Sequence, residues 1–217
     1  MTRKQRPSAT YFLIIINIIV YLLMTVAGGS ENTNVLVFFG AKVNQLIGQG
    51  EWWRLFTPMF IHIGLQHIVL NMVTLYFIGL QIEAVFGKWR FVILYLISGL
   101  GGNIASFVFS PSISAGASTS IFGLFGAFLM LGESYRQNPY IRATAKQFLI
   151  LVILNLGLGF TGIDIAGHIG GLLAGFLTAY VLGTPNLEKI PTNKRILAGA
   201  ALVIIYGILA VAGFKQY

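Results

Sequence analysis

The sequence predicts an all-α bundle that crosses a membrane repeatedly, and three observations carry that expectation. Of the 217 residues, 56% are hydrophobic and only 9% charged, against about 25% charged in an ordinary soluble domain. The apolar residues gather into runs close to the ~20 needed to cross roughly 30 Å of hydrocarbon. The basic residues lie in short groups between those runs rather than in one patch, so the net charge of +8 fits a bilayer better than a nucleic-acid partner.

Seven spans follow: Tyr11–Ala27, Leu55–Ile82, Phe91–Phe109, Ser118–Leu131, Ala143–Phe160, Ile165–Leu182 and Ile196–Phe214. The first has a rival reading as a secretory signal, because Arg3, Lys4 and Arg6 precede it. It is long for a signal core and more spans follow, so a retained helix is expected. Alternating the ends places Arg3, Lys4, Arg6, Lys88, Arg90, Arg136, Arg142, Lys146, Lys189, Lys194 and Arg195 on one side, and only Lys42, Arg54 and Lys215 on the other. The richer side is cytoplasmic by the positive-inside rule, which puts the amino terminus inside and the carboxyl terminus outside. Short connections and the lack of a long amino-terminal targeting sequence point to a bacterial plasma membrane. No repeat or soluble domain interrupts the chain, so residues 1–217 read as one membrane-embedded domain. The long segment Gly28–Arg54, ending in Trp52-Trp53-Arg54, is expected in the outer interface.

Composition removes several chemistries. There is no Cys, hence no disulfide, thiol nucleophile or cysteine-held metal. The six acids form no cluster for a two-metal site. No His is followed by Glu, against zinc proteolysis, and a single Asp cannot make an aspartyl pair. A zinc site from His62, His67 and His168 is disfavoured because, on one helix, His62 would sit about 140° round from His67. No cofactor and no metal is therefore expected.

Polar side chains at membrane depth become functional candidates. His67 and Asn71, four apart on the second span, share a helical face; interhelical hydrogen bonding is the bland alternative. The fourth span is short, about 21 Å at 1.5 Å per residue, so the preceding segment 110–117 must dip into the membrane beside protein or water. Ser118 then opens that helix, where free N–H groups favour an anion, and Phe122 lies one turn on. A small residue in a tight contact, or a helix cap, is the alternative for Ser118. On the sixth span Gly167, Gly171 and Gly175 form a stripe for close packing, with Gly123 and Gly126 on the fourth span to meet it and His168 near its outer end. The outer ends of spans two, four and six thus carry His67/Asn71, Ser118 and His168 at similar depth. Serine catalysis needs a base in hydrogen-bond reach and donors for an oxyanion. Ser118, His168 and the Asn71, His67 and Ser118 N–H donors can fill these roles, with Phe122 stacked on the imidazole. A transporter is the non-enzymatic rival, but no inverted repeat is visible.

In order along the chain, Trp53-Arg54, His62, His67 and Asn71, then Gly79, Glu83 and Gly87, Gly116-Ala117-Ser118 with Phe122-Gly123, and His168-Ile169-Gly170-Gly171 resemble the rhomboid family of intramembrane serine proteases. The match covers roughly Glu51 to Gly175. The resemblance implies a six-helix core (about 9–185) with one appended helix (about 196–214) and a Ser118–His168 dyad. It also implies an oxyanion site of Asn71, His67 and the Ser118 N–H. Expected partners are the lipid bilayer and other transmembrane proteins, cut in or beside a helix that unwinds readily. Trp53-Arg54 look like the family's interfacial anchor. His62, Glu83, Gly123, Gly167, Gly171 and Gly175 take structural roles. Thr119 stands where the family usually has Gly and reads as a tolerated variant. A catalytically inactive relative that binds membrane proteins is the alternative within the family.

Overall fold

The computed structural model describes residues 8–157, 164–185 and 187–217. The amino-terminal basic group Arg3, Lys4 and Arg6 and the outer end of the fifth predicted span (158–160) lie outside them. Among the described residues the α-helices are α1 (Ala9–Val26), α2 (Thr33–Phe39), α3 (Asn44–Gly48), α4 (Gly64–Phe86), α5 (Lys88–Phe109), α6 (Ser118–Ser134), α7 (Pro139–Gly157), α8 (Ile165–Leu182) and α9 (Thr192–Gln216). There is no strand among them, only an isolated bridge between Lys42 and Ser114. The protein is an all-α, multi-pass membrane bundle. Five helices, α1, α4, α5, α8 and α9, are long and apolar enough to cross on their own. α6 has 17 residues, and α7 carries Arg142 and Lys146 in its first turns.

The second predicted span needs correction. Residues 55–63 are not part of α4: two 3₁₀ turns, Trp52–Leu55 and Thr57–Phe60, precede an extended link, and α4 starts at Gly64 with φ +74°. Pro58 suits the first turn of a short helix but cannot continue a long one, and Gly64 supplies the left-handed backbone that redirects the chain.

α5, α6 and α8 form the centre; α7 packs on α6, α1 on α4, and α9 on α5 and α8. The contacts at the centre are made by small residues. A Cβ on Gly171 would overlap the Thr119 backbone, and one on Gly175 would overlap the backbone of Gly123. On α5, Gly101 faces Ala174 and Gly102 faces the Gly167 carbonyl and the Thr119 side chain.

Polar groups fasten the periphery. Glu83, buried near the far end of α4, accepts the N–H groups of Ser8 (2.9 Å), Ala9 (2.9 Å) and Thr10 (2.8 Å) and the Thr10 hydroxyl (2.7 Å). A carboxylate from one helix thereby caps the start of another. Arg54 is buried. It turns inward, pairs with Glu51 at 2.6 Å and donates to the Val37 and Ala41 carbonyls, while Trp52 and Trp53 stay exposed. At the site end, the buried Lys42 donates to the Ser110 carbonyl at 2.7 Å and the Ser106 carbonyl at 3.3 Å, closing the C-terminus of α5. Burial pushes its amine down from 10.5 to about 8, with the Asp164 charge opposing that shift in part.

Replacing Glu83 by Ala leaves the buried helix-start donors of Ala9 and Thr10 unpaired and is expected to cost roughly 2–4 kcal/mol, with Gln less harmful, as read by thermal unfolding in detergent. For Lys42 the folded value lies below the unfolded one, so the unfolded chain binds more protons between about pH 8 and 10.5. Stability contributed by this group therefore rises with pH through that window, and Lys42→Met should remove this component from the pH dependence of unfolding.

Candidate active site

The N-terminal ends of α4, α6 and α8 converge with segment 110–117 around a cavity of about 990 Å³. Its floor holds Ser118 and His168; Leu70, Asn71 and Thr74 line one wall, and Leu151 and Asn155 of α7 line the other. Ser118 is the first residue of α6, and no side chain caps that helix. The first-turn N–H groups of a helix have no intrahelical acceptor, so here they remain directed at the cavity end. By contrast α8 is capped: Asp164 accepts the Gly167 N–H at 2.9 Å.

The Ser118 Oγ and His168 Nε2 are 2.8 Å apart. The Phe122 ring lies flat on the imidazole, centroids 4.1 Å apart and planes 10° from parallel. Among the described residues the buried His168 Nδ1 has no hydrogen-bond partner, and no carboxylate of theirs steers the ring. With the proton on Nδ1, Nε2 is left to accept from the serine hydroxyl.

Asn71 donates to the His67 carbonyl of its own helix at 2.9 Å, which leaves its second amide hydrogen for the cavity. His67 Nδ1 accepts the Ile63 N–H at 3.4 Å, which assigns the ring proton to Nε2 and makes that atom a donor. The Nε2 edge lies against Gly116, where an added Cβ would stand 2.8 Å from the ring and 3.5 Å from Ser118 Oγ.

His62 differs from expectation. Reckoned on a continuous helix it faces away from His67 and nearer the surface. It is instead fully buried, its ring 5.2 Å from that of His67. Its Nε2 accepts the Ala117 N–H at 3.3 Å, immediately before Ser118. The helical angle does not apply because residues 61–63 are extended. Among the described residues, even so, no three His, Asp or Glu side chains gather closely enough to hold a metal ion.

Thr119 turns away from the cavity. Its buried side chain occupies the space left by Gly102 on α5 and Gly167 on α8, so the branched residue is accommodated by glycines on its two neighbours. Four contributors escaped the sequence reading: Lys42, Asp164 as a tie between elements, the glycines at 99–102, and Tyr206. Tyr206 on α9 donates to the Gly170 carbonyl, two residues beyond His168. The cluster Gly99-Leu100-Gly101-Gly102 is a visible signal for close packing of α5; an isolated Tyr in an apolar helix carries none.

A family profile described as Rhomboid domain matches residues 49–185. The chain is 45% identical over 217 residues to the rhomboid protease GluP of Bacillus subtilis, covering 99% of this chain and 41% of that protein. It is 39% identical over 201 residues to RHOMBOID-like protein 4 of Arabidopsis thaliana, covering 86% and 50%. With Rhomboid-like protease 3 of Toxoplasma gondii it shares 30% over 214 residues, covering 93% and 79%. The chain thus spans half or less of the length of the first two.

Gly116 has φ +139° and sits against His67, so Gly116→Ala meets both backbone strain and a ring contact. It is expected to lower stability by about 1–3 kcal/mol, measured by thermal unfolding.

Proposed function

The chain belongs to the rhomboid family, and from that premise we propose that it is an intramembrane serine endopeptidase that hydrolyses peptide bonds in or beside transmembrane helices of other membrane proteins. The observation that carries this reading is the 2.8 Å contact between Ser118 Oγ and His168 Nε2 under a stacked Phe122.

In the proposed reaction His168 Nε2 takes the Ser118 proton as Oγ attacks the scissile carbonyl carbon. The oxyanion forms at the uncapped start of α6, where the Ser118 N–H, the spare Asn71 amide hydrogen and His67 Nε2–H supply donors. On collapse the C–N bond breaks and the imidazolium returns its proton to the amine leaving group. Water from the cavity then attacks the Ser118 ester with His168 again as base, releasing the acid and restoring the hydroxyl. Phe122 holds the plane of the imidazole in place of an orienting carboxylate. The positive-inside distribution of Lys and Arg orients the cavity toward the extracytoplasmic side, with the amino terminus in the cytoplasm; for a bacterial protein the host bilayer is the plasma membrane.

Ser118→Ala should abolish cleavage of a single-span substrate by the purified, folded protein in liposomes, and Asn71→Ala should lower turnover by about 10²–10³. Cleavage that persists in Ser118→Ala overturns the assignment. A fluorophosphonate probe that leaves Ser118 unlabelled in the folded wild-type protein favours a binder of membrane proteins instead.

A further inference from the structure

Resting on the protease reading above, we propose that Asp164 is a positioning residue: together with Lys42 it latches segment 110–117 at the height where Ser118 meets His168.

Segment 110–117 links the end of α5 to the start of α6 and has no regular structure beyond its bridge to Lys42. Asp164 holds it from the α8 side. One carboxylate oxygen accepts the Ser114 hydroxyl at 2.7 Å and the Ser106 hydroxyl of α5; the other accepts the Gly167 N–H at 2.9 Å. The Asp164 carbonyl accepts the His168 N–H at 3.0 Å. Lys42 holds the same segment from the opposite side. Its backbone exchanges hydrogen bonds with Ser114 at 2.9 and 3.2 Å, and its buried ammonium donates to the Ser110 carbonyl at 2.7 Å.

A residue that served only as a helix cap would need one oxygen. Asp164 directs its second oxygen to two other elements, one of them four residues from Ser118. The same residue thus fixes the first turn that carries His168 and the strand of chain that delivers Ser118. α6 and α8 are already in backbone contact through their glycines, so loosening the latch leaves the bundle intact and acts on the approach to Ser118. That segment also sets the Gly116–His67 contact and the Ala117–His62 bond, hence the donors around the nucleophile. Misplacement of reacting groups by about 1 Å can cost ~10²-fold in rate.

The experiment uses the full chain in liposomes. Because it contains no Cys, Ser112→Cys carries a single nitroxide on the exposed part of the segment. Ser114→Ala removes the hydroxyl tie while leaving the α8 cap in place; Asp164→Ala removes both. We expect kcat to fall about 10-fold in Ser114→Ala and up to ~100-fold in Asp164→Ala. KM should stay within about two-fold, as befits lost alignment rather than lost binding, and the nitroxide should become more mobile in both variants. Unchanged kcat in both variants, a rise in KM that accounts for the loss, or an immobile nitroxide in both overturns the latch. Failure of the protease reading is distinct: wild-type protein then cleaves nothing, and the nitroxide alone decides whether Asp164 holds the segment.

Discussion

The close approach of α8 to α5 and α6 is the constraint on which the rest of the molecule depends. In lipid, apolar surface gives helices no reason to associate, and contact is earned by packing and hydrogen bonds instead. Here the packing is backbone on backbone: Gly171 against Thr119, Gly175 against Gly123, Gly126 against Leu172. His168 lies one turn from Gly171 and Ser118 one residue from Thr119, so the helix separation set by these glycines is also the separation of imidazole and hydroxyl. A methyl group at any of these contacts would part the helices by an amount that a 2.8 Å hydrogen bond cannot absorb.

Elsewhere several buried polar side chains are matched to helix ends and turns. Glu83 meets the start of α1, Arg54 the end of α2, Lys42 the end of α5, and Asn103 the Leu55 carbonyl at 3.0 Å. Each satisfies a helix terminus or a turn that water cannot reach. The site breaks this pattern. α6 begins without a side-chain cap, Asn71 and His67 line the cavity with a donor to spare, and His168 Nδ1 has no acceptor among the described residues. Unpaired polar atoms also occur elsewhere among the described residues, at Asn17, Ser98 and Thr178 for example, but at the site the spare donors border a cavity, the arrangement that the proposed oxyanion stabilisation uses.

The parts of this design that obey periodicity were legible in the sequence. α8 begins and ends where the apolar run does, the glycine stripe faces the helix expected of it, and Ser118 and Phe122 at the start of α6 meet His168 at the start of α8. What escaped was set by irregular backbone. His62 was misplaced because a run of apolar residues through 55–63 hides two 3₁₀ turns and an extended link, and angular reasoning fails wherever the helix does. Lys42 reads as an ordinary interfacial cation until the carbonyls of Ser106 and Ser110 surround it. Asp164 reads as a loop acid, since the hydroxyls it gathers lie 50 and 58 residues away and share no local pattern.

An imidazole without a carboxylate partner raises a mechanical question that the bundle answers. Stacking on Phe122 fixes the ring's plane but leaves rotation within that plane free, so it cannot alone hold Nε2 on the serine. The remaining control comes from the backbone that carries the ring, and α8 is restrained on three sides. α6 touches it through glycine, α5 through Gly101 and Ala105, and α9 through the Tyr206 hydroxyl on the Gly170 carbonyl. α9 thus ties to both ends of α8: Arg195 donates to the Val181 carbonyl at 2.9 Å, the Tyr206 contact falls within a turn of His168, and Tyr217 at its end accepts from Asn44 beside Lys42. Where a soluble serine hydrolase steers its histidine with an acid, this bundle steers the helix, which avoids placing a second charge in a medium that penalises it.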